Sequence, residues 1–306
     1  MHPLVSISCV TYNHAKYIKQ CLDSFLSQET TFPFEIVIHD DASTDGTTQI
    51  IEEYAKNYPD KIFPLIQKEN QFSKGVRGIM AKFNLPRCRG KYIAWCEGDD
   101  YFTDNKKLQK QFDFLESNVD CQISFHNCQK IDTAGNNLGL VYDYLPKDFK
   151  LIDSFYGDYT KTCTVMFRKS DSIKNENIIG DITFCMELLR NGGKAQYINS
   201  VMSCYRVHEG GIWSQKKELE RFKLAHYSEQ TIKNNFYYNY SNHLDIRLRK
   251  FYIMYAFKLL KEREYFYSYY SFFQYFKYEK NKTELISNFK HLIKYTIIGL
   301  NSKINI

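Results

Sequence analysis

The chain has 306 residues, of which 43% are hydrophobic and 25% are charged, and its formal net charge is +6. This composition is sufficient for a packed core and leaves room for one large α/β domain with an appendage. We expect no secretory signal, since the chain runs directly into a strand pattern, and no transmembrane helix, since the longest apolar run covers only 265–276. The nine cysteines form no C-x-x-C pair, which favours buried free thiols in a reducing cytoplasm.

Charged and aromatic residues divide the chain into two regions. Residues 1–215 hold 24 basic and 27 acidic residues, whereas residues 216–306 hold 17 basic and 8 acidic ones. The second region also holds 22 of the 48 phenylalanine and tyrosine residues. We therefore expect a mildly acidic body over 1–215 and a basic, aromatic-rich region over 216–306.

Strand and helix patterns alternate at the beginning of the chain. Apolar runs at 4–10, 34–39 and 62–66 predict three strands, the first of which suits a parallel strand that is buried on both faces. Between them, apolar residues three or four positions apart predict two amphipathic helices, with members Ile18, Cys21, Leu22, Phe25 and Leu26 in the first and Ile50, Ile51 and Tyr54 in the second. This order predicts a mostly parallel, doubly wound α/β sheet, in which ligands bind beyond the carboxyl ends of the strands.

Polar residues follow three of the predicted strands. They are Thr11, Tyr12 and Asn13 after the first strand, Asp40 and Asp41 after the second, and Glu97, Asp99 and Asp100 after a further strand at 91–96. Carboxylates this close repel one another unless a cation lies among them, and their oxygens suit Mg²⁺ or Mn²⁺. We expect the strand ends to converge on one crevice. A solvated acidic turn that caps the next helix is the alternative for the E-G-D-D segment.

Two glycine-rich phosphate loops are missing from the sequence. No G-x-G-x-x-G follows the first strand, and no G-x-x-x-x-G-K-[S/T] occurs anywhere in the chain. This argues against a dinucleotide oxidoreductase and against a P-loop NTPase. The remaining pattern is a crevice that holds a nucleotide through carboxylates and a metal ion.

Three ordered segments carry a family resemblance. They are V-S-I-S-C-V-T-Y-N-H from residue 5, E-I-V-I-H-D-D-A-S-T-D-G-T from residue 35, and G-K-Y-I-A-W-C-E-G-D-D-Y-F from residue 90. Over roughly residues 3–215 the chain resembles the family 2 glycosyltransferases of the GT-A fold. The resemblance implies a catalytic domain over 1–215, a C-terminal helical extension over 216–306, and transfer of a sugar from a nucleotide-diphospho-sugar, usually a UDP-sugar, with inversion at the anomeric carbon.

The resemblance also implies which residues bind the donor nucleotide. Thr11, Tyr12 and Asn13 would line the nucleotide pocket. Asp41 would accept a hydrogen bond from the base, usually uracil, and Asp40 lies beside it. A later basic stretch borders the donor sugar and diphosphate in the family, and its candidate contacts, each of which could equally be a solvated charge, are Lys74, Arg77 and Arg89.

The resemblance also implies which residues bind the metal ion and the diphosphate. Asp99 would face the ribose and the metal, and Asp100 would bind the Mn²⁺ or Mg²⁺ that bridges the diphosphate. Glu97 stands where many members have aspartate and is a further candidate ligand. His208 matches a family histidine that reaches the metal or the diphosphate, and Arg206 is a candidate phosphate contact.

The resemblance implies that the catalytic base lies in a Gly-Asp pattern at the start of a later helix. Residues 179–184 match that pattern, so the resemblance implies that Asp181 takes the proton of the acceptor hydroxyl. The alternative is that Asp181 only caps its helix. We expect His39 to pack within its strand, and the other histidines carry no recognisable pattern.

The C-terminal region shows apolar residues at helical intervals, so several helices are expected. In one interpretation they pack on the catalytic domain or on a second subunit, as in a homodimer. In the other, a basic and aromatic surface rests on the anionic inner face of the plasma membrane, where saccharide acceptors are carried on lipids. Nucleic-acid binding is not expected, since no recognised motif accompanies the charge.

Three functions from different classes remain. The first is a cytoplasmic, inverting, metal-dependent glycosyltransferase that builds a cell-surface polysaccharide or glycolipid on a saccharide or lipid-linked acceptor. The second is a sugar-phosphate nucleotidyltransferase, for which a glycine-rich basic loop after the first strand is expected and is not found. The third is a degenerate transferase acting as a carbohydrate-binding module, which the joint presence of Asp41, Asp99, Asp100 and Asp181 argues against.

Overall fold

The computed structural model describes residues 2–144, 146–155, 160–170, 173, 178, 180–208, 210 and 216–301. The chain forms two compact units, Met1–Gly210 and Gly211–Ile306. The first unit is built on one sheet with helices packed against it, and the described part of the second unit is helical.

One mixed sheet of ten strands runs through the described part of the first unit. In chain order the strands are β1 (Val5–Thr11), β2 (Phe34–Asp40), β3 (Ile62–Ile66), β4 (Tyr92–Glu97), β5 (Tyr101–Phe102), β6 (Cys121–Ile131), β7 (Asn137–Leu140), β8 (Asp148–Lys150), β9 (Met166–Arg168) and β10 (Lys194–Arg206). Their spatial order is β3-β2-β1-β4-β9-β6-β10-β5, with β7 paired to β6 and β8 to β10. Strands β3, β2, β1 and β4 are parallel, and β9 is antiparallel to both of its neighbours.

Four α-helices belong to the described part of the first unit: α1 (Ile18–Leu26), α2 (Thr47–Asn57), α3 (Lys107–Ser117) and α4 (Asp181–Leu189). Helices α1 and α2 connect the parallel strands, as the alternating pattern predicted. The buried residues of α1 are Ile18, Cys21, Leu22 and Phe25, which is the face expected from their spacing. Helix α2 ends before Pro59, which lacks the N–H that a further turn requires.

The parallel strands β1, β2 and β4 form the core because their side chains are largely buried on both faces, whereas the edge strand β3 has one buried residue, Ile62. Every residue of β2 is buried, and in β1 only Val10 is partly exposed. Continuous apolar runs of this kind are typical of strands covered by helices on both sides. All nine cysteines are buried and free, which confirms the expectation of buried thiols.

The apolar segment 163–167 does not form one continuous strand. Residues Thr162–Thr164 form a short 3-10 helix, and strand β9 begins only at Met166. The Thr164 hydroxyl and backbone N–H both donate to the carbonyl of Lys161, at 2.8 Å each. Such local hydrogen bonds compete with strand pairing, and the apolar pattern does not reveal them.

The second unit contains α5 (Glu218–Lys261), α6 (Tyr265–Phe276) and α7 (Lys282–Asn301), which confirms the predicted helical region. Helix α5 is interrupted at Tyr240, whose φ and ψ of −135° and 28° are not helical. The largest fully buried side chains of this unit are Phe222 and Tyr252 on α5 and Phe272 and Tyr275 on α6. Within the described ranges, no helix is long and apolar enough to cross a membrane.

Candidate active site

The carboxyl ends of β1, β2 and β4 lie side by side at one edge of the sheet. Thr11 is the register partner of Asp40, and Val10 is the partner of Glu97. The Gly98 N–H donates to the carbonyl of Val10 at 3.0 Å, which continues this register just beyond β4. The polar segments that follow these three strands therefore meet, as expected from their positions.

Three side chains from distant parts of the chain form a cluster at this edge. His208 Nε2 lies 2.9 Å and His14 Nε2 lies 3.7 Å from the same Oδ2 atom of Asp99. The candidate ligand atoms of the three residues all lie within 4.8 Å of one another. Two imidazole nitrogens and one carboxylate oxygen are a donor set that suits divalent first-row metals. We refer to His14, Asp99 and His208 as the His–Asp–His cluster.

The orientation of His14 is set by Thr11. The Thr11 hydroxyl lies 3.1 Å from His14 Nδ1, so Nε2 is the nitrogen that faces Asp99. Metal-binding histidines commonly have this arrangement, in which the second ring nitrogen is held by a hydrogen bond. Gly98 makes the close packing possible, since a Cβ at this position would lie 2.6 Å from Thr11 Oγ1 and 3.0 Å from Ile18 Cδ1.

Electrostatics favour the protonation states that a metal site needs. Burial opposes ionisation of Asp99, but the adjacent His14 and His208 outweigh burial and hold the pKa of Asp99 below its ordinary value. Burial lowers the pKa of His14, although Asp99 opposes that effect. At neutral pH an ionised carboxylate thus lies beside a neutral imidazole, and these are the forms that bind metal ions.

Glu97 and Asp100 flank Asp99 but have different surroundings. Glu97 Oε1 accepts a hydrogen bond from Trp95 Nε1 at 2.8 Å, and burial followed by repulsion from Asp99 raises the pKa of Glu97 to about 8. Asp100 is 2% exposed and accepts the backbone N–H of Arg206 at 2.8 Å, and burial raises its pKa. Among the described residues, Asp99 is the only acidic member of the metal-ligand group.

Arg206, at the end of β10, ties that strand to the site. Its guanidinium donates to the backbone oxygen of Asp99 at 3.0 Å, to Gln20 Oε1 at 2.7 Å and to the carbonyl of Asp132 at 3.3 Å. The same group lies 4.6 Å from the centre of the Tyr17 ring. Arg206 is buried, and these contacts position the E-G-D-D segment. Its role as a phosphate contact stays a prediction.

The loops that follow β1 and β2 hold each other in place. Asp40 accepts hydrogen bonds from the Ser43 hydroxyl and the Thr48 hydroxyl, at 2.5 Å each. Asn13 has a φ of 55°, its N–H donates to Ser43 Oγ at 2.8 Å, and its Oδ1 accepts the Thr44 N–H at 2.8 Å. Both predicted nucleotide-binding residues therefore hold the loops after β1 and β2 together through their own polar groups, and their contact with a nucleotide stays a prediction.

Asp41 is buried and holds a neighbouring loop. Its Oδ1 accepts the Gln71 N–H at 2.8 Å, and its Oδ2 accepts the Phe72 N–H at 3.0 Å. His39 Nε2 lies 3.4 Å from Oδ1, and the fully buried His39 ring packs on Phe83 at 4.8 Å. His39 thus packs within the core as expected, and the contact of Asp41 with a base stays a prediction.

Helix α4 begins close to the end of β4. Gly180 takes the N-cap position and Asp181 is the first helical residue, and Asp181 Oδ1 accepts the Ile182 N–H at 2.9 Å, so its carboxylate bonds to the first turn of the helix and both interpretations stay predictions. The Phe184 ring packs edge-on against Trp95 at 5.5 Å. Asp181 also contributes to the raised pKa of Glu97, after burial and Asp99, so its carboxylate lies within electrostatic range of Glu97.

The remaining sequence candidates lie near the surface. Tyr12 is 44% exposed, and Lys74 is exposed and paired with Glu69. Arg89 forms an ion pair at 2.6 Å with Glu35, the second residue of β2. Arg89 therefore lies at the opposite edge of the sheet, and its proposed contact with the donor is wrong.

His14 is the member of the cluster that sequence analysis missed. Its pairing with His208 depends on the fold, because the two residues are far apart in the chain. The available signal was its position three residues after Thr11, the last residue of β1. Residues that follow the strands of a parallel sheet collect at the ligand-binding edge.

Comparison with known proteins shows the family. The model of "Glycosyl transferase family 2" matches residues 6–172, which is more than half of the chain. This chain belongs to glycosyltransferase family 2. An uncharacterized protein of Mycobacterium tuberculosis is 33% identical over 217 residues, and the match covers 68% of this chain and 60% of that relative. The chain thus spans less than two thirds of that relative's length.

Three further likenesses concern one enzyme and two solved structures. The Escherichia coli UDP-Glc:alpha-D-GlcNAc-diphosphoundecaprenol beta-1,3-glucosyltransferase WfaP is 30% identical over 71% of this chain and 83% of its own length. The structure of residues 1–349 of Staphylococcus aureus TarS with UDP-GlcNAc matches with a TM-score of 0.60 at 17% identity, over 90% of this chain and 88% of that chain. The Pyrobaculum calidifontis mannosyltransferase with GDP-Man and Mn²⁺ matches with a TM-score of 0.57 at 14% identity, over 97% and 84%. The fold is the predicted GT-A fold.

Proposed function

We propose that this protein is an inverting, metal-dependent glycosyltransferase that uses a UDP-sugar in the synthesis of a cell-surface polysaccharide or glycolipid. The observation that carries the proposal is the His–Asp–His cluster at the carboxyl ends of the parallel strands. The UDP donor is supported by the names of WfaP and of the TarS complex, and polysaccharide synthesis by a relative named as a putative teichuronic acid biosynthesis glycosyltransferase.

Asp99, His208 and His14 would hold a Mn²⁺ or Mg²⁺ ion. The separations of 2.9 and 3.7 Å from Asp99 Oδ2 are below about 4.2 Å, the largest distance between two ligand atoms that each lie about 2.1 Å from one ion. The three ligand atoms together span up to 4.8 Å, so the group would close slightly around an ion. When bound, such an ion supplies positive charge that offsets the charge developing on the departing diphosphate. Asp100 and Glu97 remain further candidates from the family resemblance.

The nucleotide would lie along the loops after β1 and β2. Thr11 and Tyr12 would line this pocket, and the half-exposed Tyr12 ring offers a face on which a base can stack. Asp41 would accept a hydrogen bond from uracil, in place of one that it now receives from the Gln71–Phe72 loop. The less direct candidates for this pocket are Asn13, Asp40, Lys74 and Arg206.

Asp181 is the proposed general base. The acceptor oxygen attacks the anomeric carbon as the bond from that carbon to the diphosphate oxygen breaks, and the hydroxyl proton passes to the Asp181 carboxylate. Attack from the face opposite the leaving group inverts the configuration. The position of Asp181 at the start of α4 supports this role, since the amino end of a helix favours an ionised carboxylate.

The partners proposed from sequence complete the hypothesis. Residues 1–215 would form the catalytic domain, and residues 216–306 would form a basic, aromatic-rich extension. The acceptor would be a saccharide or a lipid-linked saccharide, which the diphosphoundecaprenol acceptor in the name of WfaP supports. The enzyme would act on the cytoplasmic side, with peripheral membrane contact through the extension, and a homodimer is the alternative use of that surface.

Calorimetric titration with UDP and with GDP, each with and without Mn²⁺, tests the donor and the metal together. Two matched variants separate the neighbouring carboxylates. Asp99→Asn should abolish metal-dependent UDP binding, whereas Asp100→Asn should weaken it less, because Asp100 is only a further candidate ligand and the amide oxygen can still accept the Arg206 N–H. Metal-independent binding of UDP by the wild type, or equal binding by Asp99→Asn, would contradict the metal assignment.

A separate measurement tests the base. Asp181→Asn should keep the affinity for UDP and Mn²⁺ but lose sugar transfer by a factor of about 10²–10⁴. A variant that transfers sugar at the wild-type rate would remove Asp181 from the mechanism. A wild type that binds sugar ligands but neither nucleotide would point to the carbohydrate-binding alternative.

A further inference from the structure

The second unit has an apolar surface that the proposed chemistry does not use. On α6, Phe266 and Phe273 are 76% and 63% exposed, and on α7, Ile286 is 53% exposed. Further exposed apolar side chains on the same sides of these two helices are Phe276, Phe289 and Ile293. We refer to these six side chains as the α6–α7 face.

The α6–α7 face is continuous across the two helices. Phe266 and Phe273 are seven residues apart, as are Ile286 and Ile293, so each pair follows one side of its helix. The Phe289 ring of α7 stacks at 5.7 Å on Phe272 of α6, which contacts Phe276 at 5.0 Å. Phe276 in turn contacts Phe273 at 6.3 Å. Soluble monomers rarely expose so many neighbouring apolar side chains without a binding role.

Positive charge surrounds this face. The five lysines of residues 265–301 are all exposed: Lys277, Lys280, Lys282, Lys290 and Lys294. The same segment has two carboxylates, Glu279 and Glu284. Glu279 is buried and bonds to Arg249 at 3.2 Å and to Tyr275 at 3.0 Å, which leaves Glu284 as its exposed carboxylate. The exposed charge around the α6–α7 face is therefore strongly positive.

The combination of exposed apolar side chains and lysines distinguishes between two possible partners of the α6–α7 face, a second copy of the chain and a lipid bilayer. In a symmetric dimer the same patch meets itself, so the lysines of both copies would approach one another and repel. A bilayer with anionic headgroups instead places negative charge around a region that accepts aromatic rings. Phenylalanine on one side of a helix with lysines beside it is the usual composition of helices that lie in a membrane interface.

We propose that the α6–α7 face rests on an anionic lipid bilayer, with its aromatic side chains at the acyl boundary and its lysines among the headgroup phosphates. The inference deepens the proposed function and rests on it in one respect, since a transferase with a lipid-linked acceptor must reach that acceptor at the surface of a bilayer. The contact is peripheral, because Phe266 and Phe273 enter from the side of a helix and do not form a spanning segment.

Vesicle co-sedimentation of the full chain tests the proposal. Vesicles of phosphatidylcholine alone are compared with vesicles that also contain phosphatidylglycerol, at low and at high salt. The wild type should bind the anionic vesicles, and high salt should weaken that binding. The double variant Phe266→Gln, Phe273→Gln should bind about tenfold more weakly or worse. Tyr238→Gln is the matched control, because Tyr238 is 99% exposed on α5 outside this face, and it should bind as the wild type does.

Three results would overturn the proposal. They are no binding of the wild type to anionic vesicles, equal binding to neutral vesicles, and a dimer in light scattering that only the double variant dissociates. The first two remove the anionic bilayer, and the third assigns the α6–α7 face to a second copy. Metal-dependent UDP binding, measured on the same preparations, should be equal in all variants. If the wild type shows no metal-dependent UDP binding, that result counts against the proposed function and leaves the vesicle result unaffected.

Discussion

His14→Ala is the substitution that tests the His–Asp–His cluster most directly. It removes one of two imidazoles from beside Asp99, whose Oδ2 lies 3.7 Å from His14 Nε2. The change leaves Asp99 and His208 in contact at 2.9 Å, so a weaker two-residue site should remain. We therefore expect the variant to fold and to bind Mn²⁺ with reduced affinity.

The size of the effect follows from ligand linkage. Substituting even an outer partner of a metal ligand costs about 10–100-fold in affinity, so a lost ligand should cost about 100-fold or more. At a Mn²⁺ concentration about 100 times the wild-type Kd, binding stabilises the wild type by about 2.7 kcal/mol and the variant by about 0.4 kcal/mol. For a unit of about 200 residues this corresponds to Tm increases of about 5–11 °C and about 1–2 °C.

Thermal unfolding with and without Mn²⁺ measures both Tm increases. Each increase is calculated relative to the Tm of the same variant without metal. Thr11→Val should give an intermediate shift, because it removes only the hydroxyl that orients His14. His2→Ala is the control, since this exposed histidine precedes β1 at the opposite edge of the sheet. A wild-type Mn²⁺ shift in His14→Ala would refute the assignment of His14 as a ligand.

Three further substitutions test the packing around the site. Gly98→Ala should lower the free energy of unfolding by about 1–3 kcal/mol in urea titration, because its Cβ would overlap Thr11 Oγ1. Arg206→Lys should cost about 1–3 kcal/mol in the same assay, because one ammonium cannot replace the guanidinium bonds to Gln20 and Asp99. Burial lowers the pKa of Lys107 from 10.5 to about 8, so the unfolded state binds the proton more tightly between these values. The free energy of unfolding of the wild type should therefore rise by about 3 kcal/mol relative to that of Lys107→Met as the pH rises from about 8 to 10.5.

The outcomes that contradict these expectations are specific. Unchanged stability of Gly98→Ala would mean that Thr11 moves aside without cost. Unchanged stability of Arg206→Lys would mean that its guanidinium bonds do not hold β10 to the E-G-D-D segment. A stability difference between wild type and Lys107→Met that is constant with pH would show that Lys107, although buried against the Phe102 ring at 4.1 Å, keeps its ordinary pKa.

Much of the parallel half of the sheet was predictable from local patterns. Strand β3 has the predicted bounds, and β1, β2 and β4 differ from prediction by one residue at their ends. Strands β1, β2 and β4 are largely buried, and burial on both faces gives a nearly continuous apolar run that a short window of sequence shows. The bounds of β9 do not follow from a local pattern, because its three residues lie antiparallel between β4 and β6 through pairing with segments remote in the chain.

The sequence by itself determined which strand ends carry carboxylates, and hence where the site lies. Only the tertiary structure decided which of these groups face each other. It joined His14 and His208 through Asp99, turned Asp100 into the protein toward the Arg206 N–H, and left Arg89 at the far edge with Glu35. The physical reason is that strand patterns depend on local burial, whereas the meeting of side chains depends on sheet order and on contacts between residues far apart in the chain.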